Sequence, residues 1–292
     1  EISLGLVGSE MCIRDRNCNE EKIMAYKILA FDIDGTLTNS QKIITEETKR
    51  AIFAAMDKGC KVLIASGRPV KGLRGYAEEL HLKENGGYIL SLNGGYIMSC
   101  ADEKVLYDVK VPKKYYKEIY ELSKKHGVNL LTYQGETVIS EDIDDEYLDI
   151  EARLNGLPKK KVDNLYEYLD FEVNKFLMTG DGDYLAEVEK DVYDKLRNNL
   201  DVYRSEPFFL EILPKDVNKG KALEALLAIL GVDRDELMAF GDGYNDKTMV
   251  EYAGLGVAMG NAKDVVKEAA DYVAPTNDED GIVEVIHKFI LD

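Results

Sequence analysis

Short apolar runs of strand length alternate along this chain with stretches whose apolar residues recur at helical spacing, so the pattern predicts strand, helix, strand, helix. Tyr26 to Phe31 reads as a buried strand. Thr45 is placed to cap a helix running to about Lys58, with Ile52, Phe53 and Met56 on an apolar face and Gly59 stopping it. Cys60 to Ala65 is a second buried strand, ending at Ser66-Gly67-Arg68-Pro69. Another helix follows to about Leu80, and Tyr88 to Leu92 is a third strand ending in Asn93-Gly94-Gly95. Strands that alternate with helices pair in parallel, which makes this an α/β chain: a Rossmann-like parallel sheet with helices on both faces. In such sheets functional groups gather outside the carboxyl ends of the strands.

The rhythm changes between about Val109 and Leu213. Val111 to Gly127 and Asp142 to Asn155 are helical patterns, and Val128 to Ser140 reads as a hairpin turning at Gln134-Gly135-Glu136. Val173 to Thr179 is a strand, Tyr184 to Asn199 a helix, and Val202 to Leu213 two strands broken at Ser205-Glu206-Pro207. That order predicts a small open sheet with helices on one face, an α+β domain of residues 109–213 inserted into a core of 24–108 and 214–292. Alternation resumes with a helix at Lys219 to Leu230, a strand at Leu237 to Phe240 and a helix from Asp246. A strand at Gly256 to Met259, a helix around Lys263 to Ala269, a strand at Tyr272 to Ala274 and a last helix from Gly281 complete it. Residues 1–23 fit neither rhythm. Ile2 to Val7 is too short, and Glu1 too acidic, for a secretory signal, and Met24 directly before a strand looks like a natural start, so this leader is expected to be non-native or disordered.

Composition narrows the class. With 292 residues, 45% of them hydrophobic, the chain can bury a sizeable core. A formal charge of -18 opposes binding to nucleic acid or to a membrane surface, both polyanionic, while a small anion neutralised by a metal stays compatible. No apolar run reaches the roughly 18 residues of a membrane span. Of the four cysteines, Cys12 and Cys18 lie in the leader, and Cys60 and Cys100 lack the spacing of a zinc site or disulfide framework. Two buried free thiols in a reducing cytoplasm is the expected arrangement, in a soluble protein for which monomer and homodimer are equally acceptable.

The chemistry begins at Asp32-Ile33-Asp34-Gly35-Thr36. Alternation along an extended chain sends Asp32 and Asp34 to the same side, and close carboxylates that both stay ionised want a divalent cation. Gly35 permits a tight turn, and Thr36 offers a hydroxyl and an N–H to an anion. A helix-loop-helix calcium site fails on spacing, since aligning Gly35 with its glycine puts Ala30 and Gln41 at ligand positions. Asp242 and Asp246, in Gly241-Asp242-Gly243-Tyr244-Asn245-Asp246, follow another strand four residues apart and can share one cation, the hard oxygen ligands favouring Mg2+. Ser66 and Gly67 supply a hydroxyl and an N–H at the same sheet edge, and Lys219, in competition with Lys221, can neutralise acids and a phosphate there.

In order and spacing, Asp32-Ile-Asp34-Gly-Thr36, Ser66-Gly-Arg68, Lys219 and Gly241-Asp242-Gly-Tyr-Asn245-Asp246 resemble the four motifs of the haloacid dehalogenase-like hydrolases. The insert and Asn93-Gly-Gly look like the Cof-type subfamily of capped phosphatases; the likeness covers Met24 to Asp292, and serine at 66, where threonine is frequent, is a mild departure. The resemblance implies a Mg2+-dependent phosphatase of small phosphorylated metabolites, sugar phosphates foremost. Asp32 is then the nucleophile and Asp34 the acid and base. The Asp32 side chain, the Asp34 carbonyl and Asp242 hold the metal, with Asp246 supporting through water or orienting Lys219. Thr36, Ser66, Gly67, Lys219 and Asn245 bind the phosphoryl group. A phosphohexomutase and a non-catalytic phosphate-ligand sensor are the alternatives. Tyr133, Glu136, Arg153 and Lys175 are possible substrate contacts in the cap, with nothing to choose between them.

Overall fold

The computed structural model describes residues 26–292, and the expectation for residues 1–23 lies outside the described residues. Eight strands form one sheet in the order Tyr272–Val273, Leu255–Ala258, Leu237–Gly241, Ile28–Asp32, Lys61–Ala65, Tyr88–Ser91, Tyr96–Ser99, Val105–Asp108. The first six are parallel and the last two antiparallel, giving the α/β sheet the alternation predicts with an added hairpin edge. Sequence reading missed that edge because Asn93-Gly94-Gly95 passed for an ordinary loop. It is a reversal built on positive φ at Leu92, Asn93 and Gly94. Only glycine fits at 94, where a Cβ would lie 2.4 Å from the Asn218 carbonyl oxygen.

Ile28–Asp32 sits near the middle of this sheet and is buried on both faces, which is why it reads as an unbroken apolar run. Leu29 and Phe31 pack with Ile52, Ala55, Leu73 and Val285 on one face. Ile28 and Ala30 pack with Ala222, Leu223, Leu226 and Met249 on the other. Phe31 also stacks on Phe240 of the neighbouring strand, with centroids 4.7 Å apart. Truncating such a fully buried ring costs about 3–5 kcal/mol, so the strand that ends in Asp32 is held firmly.

Six more strands form a second sheet in the order Leu200–Glu206, Phe209–Pro214, Phe176–Thr179, Asn129–Gln134, Thr137–Ser140, Lys159–Lys161. The expectation of helices on one face only is corrected here. Leu130, Met178 and Leu210 pack with Ile119, Leu122, Leu185 and Val188 of the helices Tyr116–His126 and Gly182–Leu196. Their strand neighbours Leu131, Leu177 and Phe209 face the other way, against Leu148 and Ala152 of the helix Glu146–Asn155. The period of two along each strand therefore gives the sheet two apolar faces. The second face is only part apolar, because it also carries Tyr133, Lys175 and Glu211.

Candidate active site

Asp32 ends its strand at the carboxyl edge of the first sheet and is only 6% exposed. The fully buried ammonium of Lys219, on the first turn of the helix Lys219–Leu230, reaches it at 2.6 Å from Oδ1. The same Nζ donates to Asp246 Oδ1 at 2.5 Å and to the Ala65 carbonyl at 3.1 Å, so all three of its protons are used. Asp246 is itself fully buried, and its Oδ2 accepts from the N–H groups of Asp242 and Gly243 at 3.0 and 2.8 Å. A short 3-10 turn, Tyr244–Asp246, brings Asp246 back over its own loop. One carboxylate oxygen each from Asp32, Asp242 and Asp246 lie within 4.8 Å of one another.

The first loop closes on the same cluster. Gly35 has φ +89°, and a Cβ there would lie 2.5 Å from Asp242 Oδ2, so two independent reasons require glycine. Thr36 donates its hydroxyl to Asp242 Oδ1 at 2.7 Å. Asp34 turns to a different partner: Arg68 donates Nε and Nη2 to its two oxygens at 2.9 to 3.0 Å, and Lys42 adds a contact at 2.9 Å. Ser66 is buried, its hydroxyl accepting from the Arg68 N–H at 3.3 Å. Asn245 donates to Asn93 Oδ1 at 3.0 Å, and Asn93 donates to the Tyr203 hydroxyl of the second sheet at 3.1 Å. The Lys221 ammonium lies elsewhere, 3.3 Å from Asp216 on the exposed side of the helix.

The electrostatics divide the acids. Burial, followed by the nearby Asp246, pushes the Asp32 carboxyl upward against the pull of Lys219. Burial likewise raises Asp242, to about 6. Burial would lift Asp34 too, but Arg68 and then Lys42 outweigh it and hold that carboxyl below its ordinary value. Lys219, which burial alone would discharge, is kept charged by Asp246 and Asp32. One ammonium does not balance three crowded carboxylates.

A cavity of about 260 Å³ opens over these groups, lined by Asp32, Asp34, Ser66 and Arg68 below and by Glu151, Lys175 and Glu211 of the second-sheet layer above. Of the cap residues named from sequence, Lys175 lines it and Tyr133 reaches it indirectly, donating to Glu151 Oε1 at 2.7 Å. Glu136 instead pairs with Arg74, at 2.6 Å, and with Lys71. Arg153 bonds its own helix at the Asp149 carbonyl. Glu151, Glu211 and Asn93 were missed. Glu211 had a signal, a lone acid inside the apolar strand Phe209–Pro214; Glu151, on an amphipathic helix, had none.

The family model described as haloacid dehalogenase-like hydrolase matches residues 29–286. A 5-amino-6-(5-phospho-D-ribitylamino)uracil phosphatase of Bacillus subtilis, YcsE, is 32% identical over 91% of this chain and 96% of its own. The crystal structure of a haloacid dehalogenase-like hydrolase from Bacteroides thetaiotaomicron superposes with a TM-score of 0.85, at 39% identity over 90% of this chain and 99% of that one. A sugar phosphatase of subclass IIB of the same superfamily superposes at 0.72, with 30% identity over 90% of this chain and 98% of that one. The chain belongs to the haloacid dehalogenase-like hydrolases. With phosphatases among its relatives over nearly their full length, it is a phosphoric monoester hydrolase. Among the described residues, no helix is long and apolar enough to cross a membrane.

Proposed function

We propose that the chain is a Mg2+-dependent phosphatase of small phosphorylated metabolites, sugar phosphates foremost, acting through an aspartyl phosphate on Asp32. The observation that carries this reading is the buried Asp32–Lys219–Asp246 arrangement with Asp242 beside it at the carboxyl edge of the sheet. Binding alone does not call for a buried carboxylate held in one rotation by a lysine. The residues fit a hard divalent cation, because the Asp32 and Asp242 carboxyls are raised by burial and then by the nearby Asp246, and such an ion offsets both. Asp32, the Asp34 carbonyl and Asp242 would hold it, with Asp246 behind, and it would supply charge neutralisation to the phosphoryl oxygens.

Lys219 fixes Asp32 Oδ1, while Oδ2 accepts no hydrogen bond from the described residues. A carboxylate oxygen of Asp32 attacks phosphorus in line, the bond to the leaving oxygen breaks, and Asp34 delivers the proton that oxygen needs. Water then attacks the acyl phosphate, giving its proton to Asp34 and releasing inorganic phosphate. Asp34 can carry a proton only when its pairs with Arg68 and Lys42 open, which ties the step to substrate entry. Lys219, with its protons engaged, acts on the phosphoryl group through charge; Ser66, the Gly67 N–H and Asn245 are the donors at hand, and Thr36, whose hydroxyl proton goes to Asp242, offers its backbone N–H. The layer of residues 109–213 serves as a cap that excludes water and selects the leaving group.

The two relatives named above act on a ribityl phosphate and on sugar phosphates, both phosphorylated polyhydroxyl compounds, which supports the substrate class. The test is phosphate release from a panel of phosphorylated sugars and other metabolites, with and without Mg2+, by the native protein and by Asp32→Asn. Metal-dependent release lost in the variant is expected, a fall of at least about 1,000-fold. Release untouched by the substitution would remove Asp32 from the mechanism. Turnover that required an added sugar bisphosphate would favour a mutase instead.

A further inference from the structure

Above the catalytic floor, the cavity is roofed by three charged side chains that are more than nine-tenths buried: Lys175 at 3% exposure, Glu211 at 5% and Glu151 at 7%. Charged groups are rarely buried without a reason. Their contacts form one network: Lys175 Nζ donates to Glu211 Oε2 at 2.8 Å, and the Ser205 hydroxyl donates to Glu211 Oε1 at 2.9 Å. The Lys175 ammonium lies 5.6 Å from the centre of the Tyr133 ring, whose hydroxyl binds Glu151. Burial would discharge Lys175, but Glu211 and then Glu151 keep it protonated.

The network leaves capacity pointing at a ligand. Among the described residues, Lys175 makes one hydrogen bond from its ammonium, and Glu151 Oε2 accepts none. Free donors and free acceptors side by side match groups that both give and take a hydrogen bond, which hydroxyls do and carboxylates do not. One ammonium against two carboxylates also leaves the roof with an excess negative charge. A leaving group bearing its own carboxylate or second phosphate meets like charge in a desolvated cavity.

Resting on the phosphatase reading above, we infer that Lys175, Glu211 and Glu151 form the leaving-group subsite, which accepts neutral polyhydroxyl leaving groups and rejects anionic ones. The test compares kcat/KM for glucitol 6-phosphate and 6-phosphogluconate, which differ only in a terminal hydroxymethyl against a carboxylate. In the native protein the glucitol ester is expected to lead by about 30-fold or more. Glu151→Gln with Glu211→Gln turns the roof from net negative to net positive, and the ratio should fall at least about tenfold. A native ratio near one, or reversed, overturns the inference without any variant. So does an unchanged ratio in a double variant whose circular dichroism matches the native protein. Turnover of p-nitrophenyl phosphate with no discrimination between the two esters sinks the subsite alone. Absence of turnover on every ester, p-nitrophenyl phosphate included, overturns the phosphatase reading and this inference with it.

Discussion

Two buried lysines serve one cavity, Lys175 lining its roof and Lys219 behind the Asp32 and Asp246 that line its floor, and they differ in how completely the protein answers them. Lys219, on the floor, has all three protons taken by Asp32, Asp246 and the Ala65 carbonyl. Lys175, in the roof, makes a single hydrogen bond among the described residues, to Glu211. A saturated ammonium has nothing left to give a ligand except charge, so its work is to fix the carboxylates around it. An unsaturated one, set beside unsatisfied acceptors, still has directional bonds to offer. The same side chain thus does positioning in one layer and recognition in the other, and counting donors distinguishes the two.

The largest effect expected is from Lys219→Met, which strands Asp32 and Asp246 as adjacent buried acids. Breaking such a network costs about 3–5 kcal/mol, read as a lower urea midpoint, together with loss of turnover. Lys175→Met should cost less, about 1–2 kcal/mol, because Glu211 keeps the Ser205 hydroxyl and the cavity admits water. Equal losses in the two variants would erase the distinction between floor and roof.

The floor was legible in the sequence and the roof was not, for a physical reason. Asp32, Ser66 and Asp242 stand where apolar strands end, and strand ends of a parallel sheet converge on one edge, so local pattern and topology predict their meeting. Lys219 is found the same way, as the first residue of a helix that starts at that edge. The roof depends on which face of a second sheet looks down, a tertiary fact. Lys175, just before the strand Phe176–Thr179, and Glu211, on the neighbouring strand, meet only once the register of those strands is set, and Glu151 joins them from a helix on the face that sequence reading left bare. The antiparallel hairpin beyond Tyr88–Ser91 was lost to a turn whose non-glycine residues take positive φ, a choice propensity does not foresee.

Arg68 lies between the two layers, holding Asp34 and donating Nη1 to the Leu154 carbonyl at 3.3 Å at the end of the helix Glu146–Asn155. Burial would raise the Asp34 carboxyl, and Arg68 is the largest influence pulling it down. Arg68→Met should therefore move the acid limb of the pH-rate profile to higher pH. Stability carries the matching sign. A depressed carboxyl stabilises the fold above its unfolded pKa and loses that contribution as pH falls through the depressed value, so the variant's stability should vary less with pH on the acid side. An acid limb that stayed in place would mean another group sets it.

The smallest effect tests whether the floor's saturation extends to Asp242. Thr36 donates to Asp242 Oδ1, a bond that favours the ionised carboxyl, while burial has pushed that carboxyl up to about 6. Thr36→Val removes the bond and must raise it further. A cation binds the ionised form, so at pH 6 the Mg2+ concentration giving half-maximal phosphate release should rise about threefold, the difference shrinking by pH 8. Were Thr36 chiefly a phosphate donor, the loss would fall on substrate KM and be the same at both pH values. The pH dependence thus separates a threonine that completes the Asp242 carboxylate from one that reads the ligand, the distinction drawn above between the two lysines.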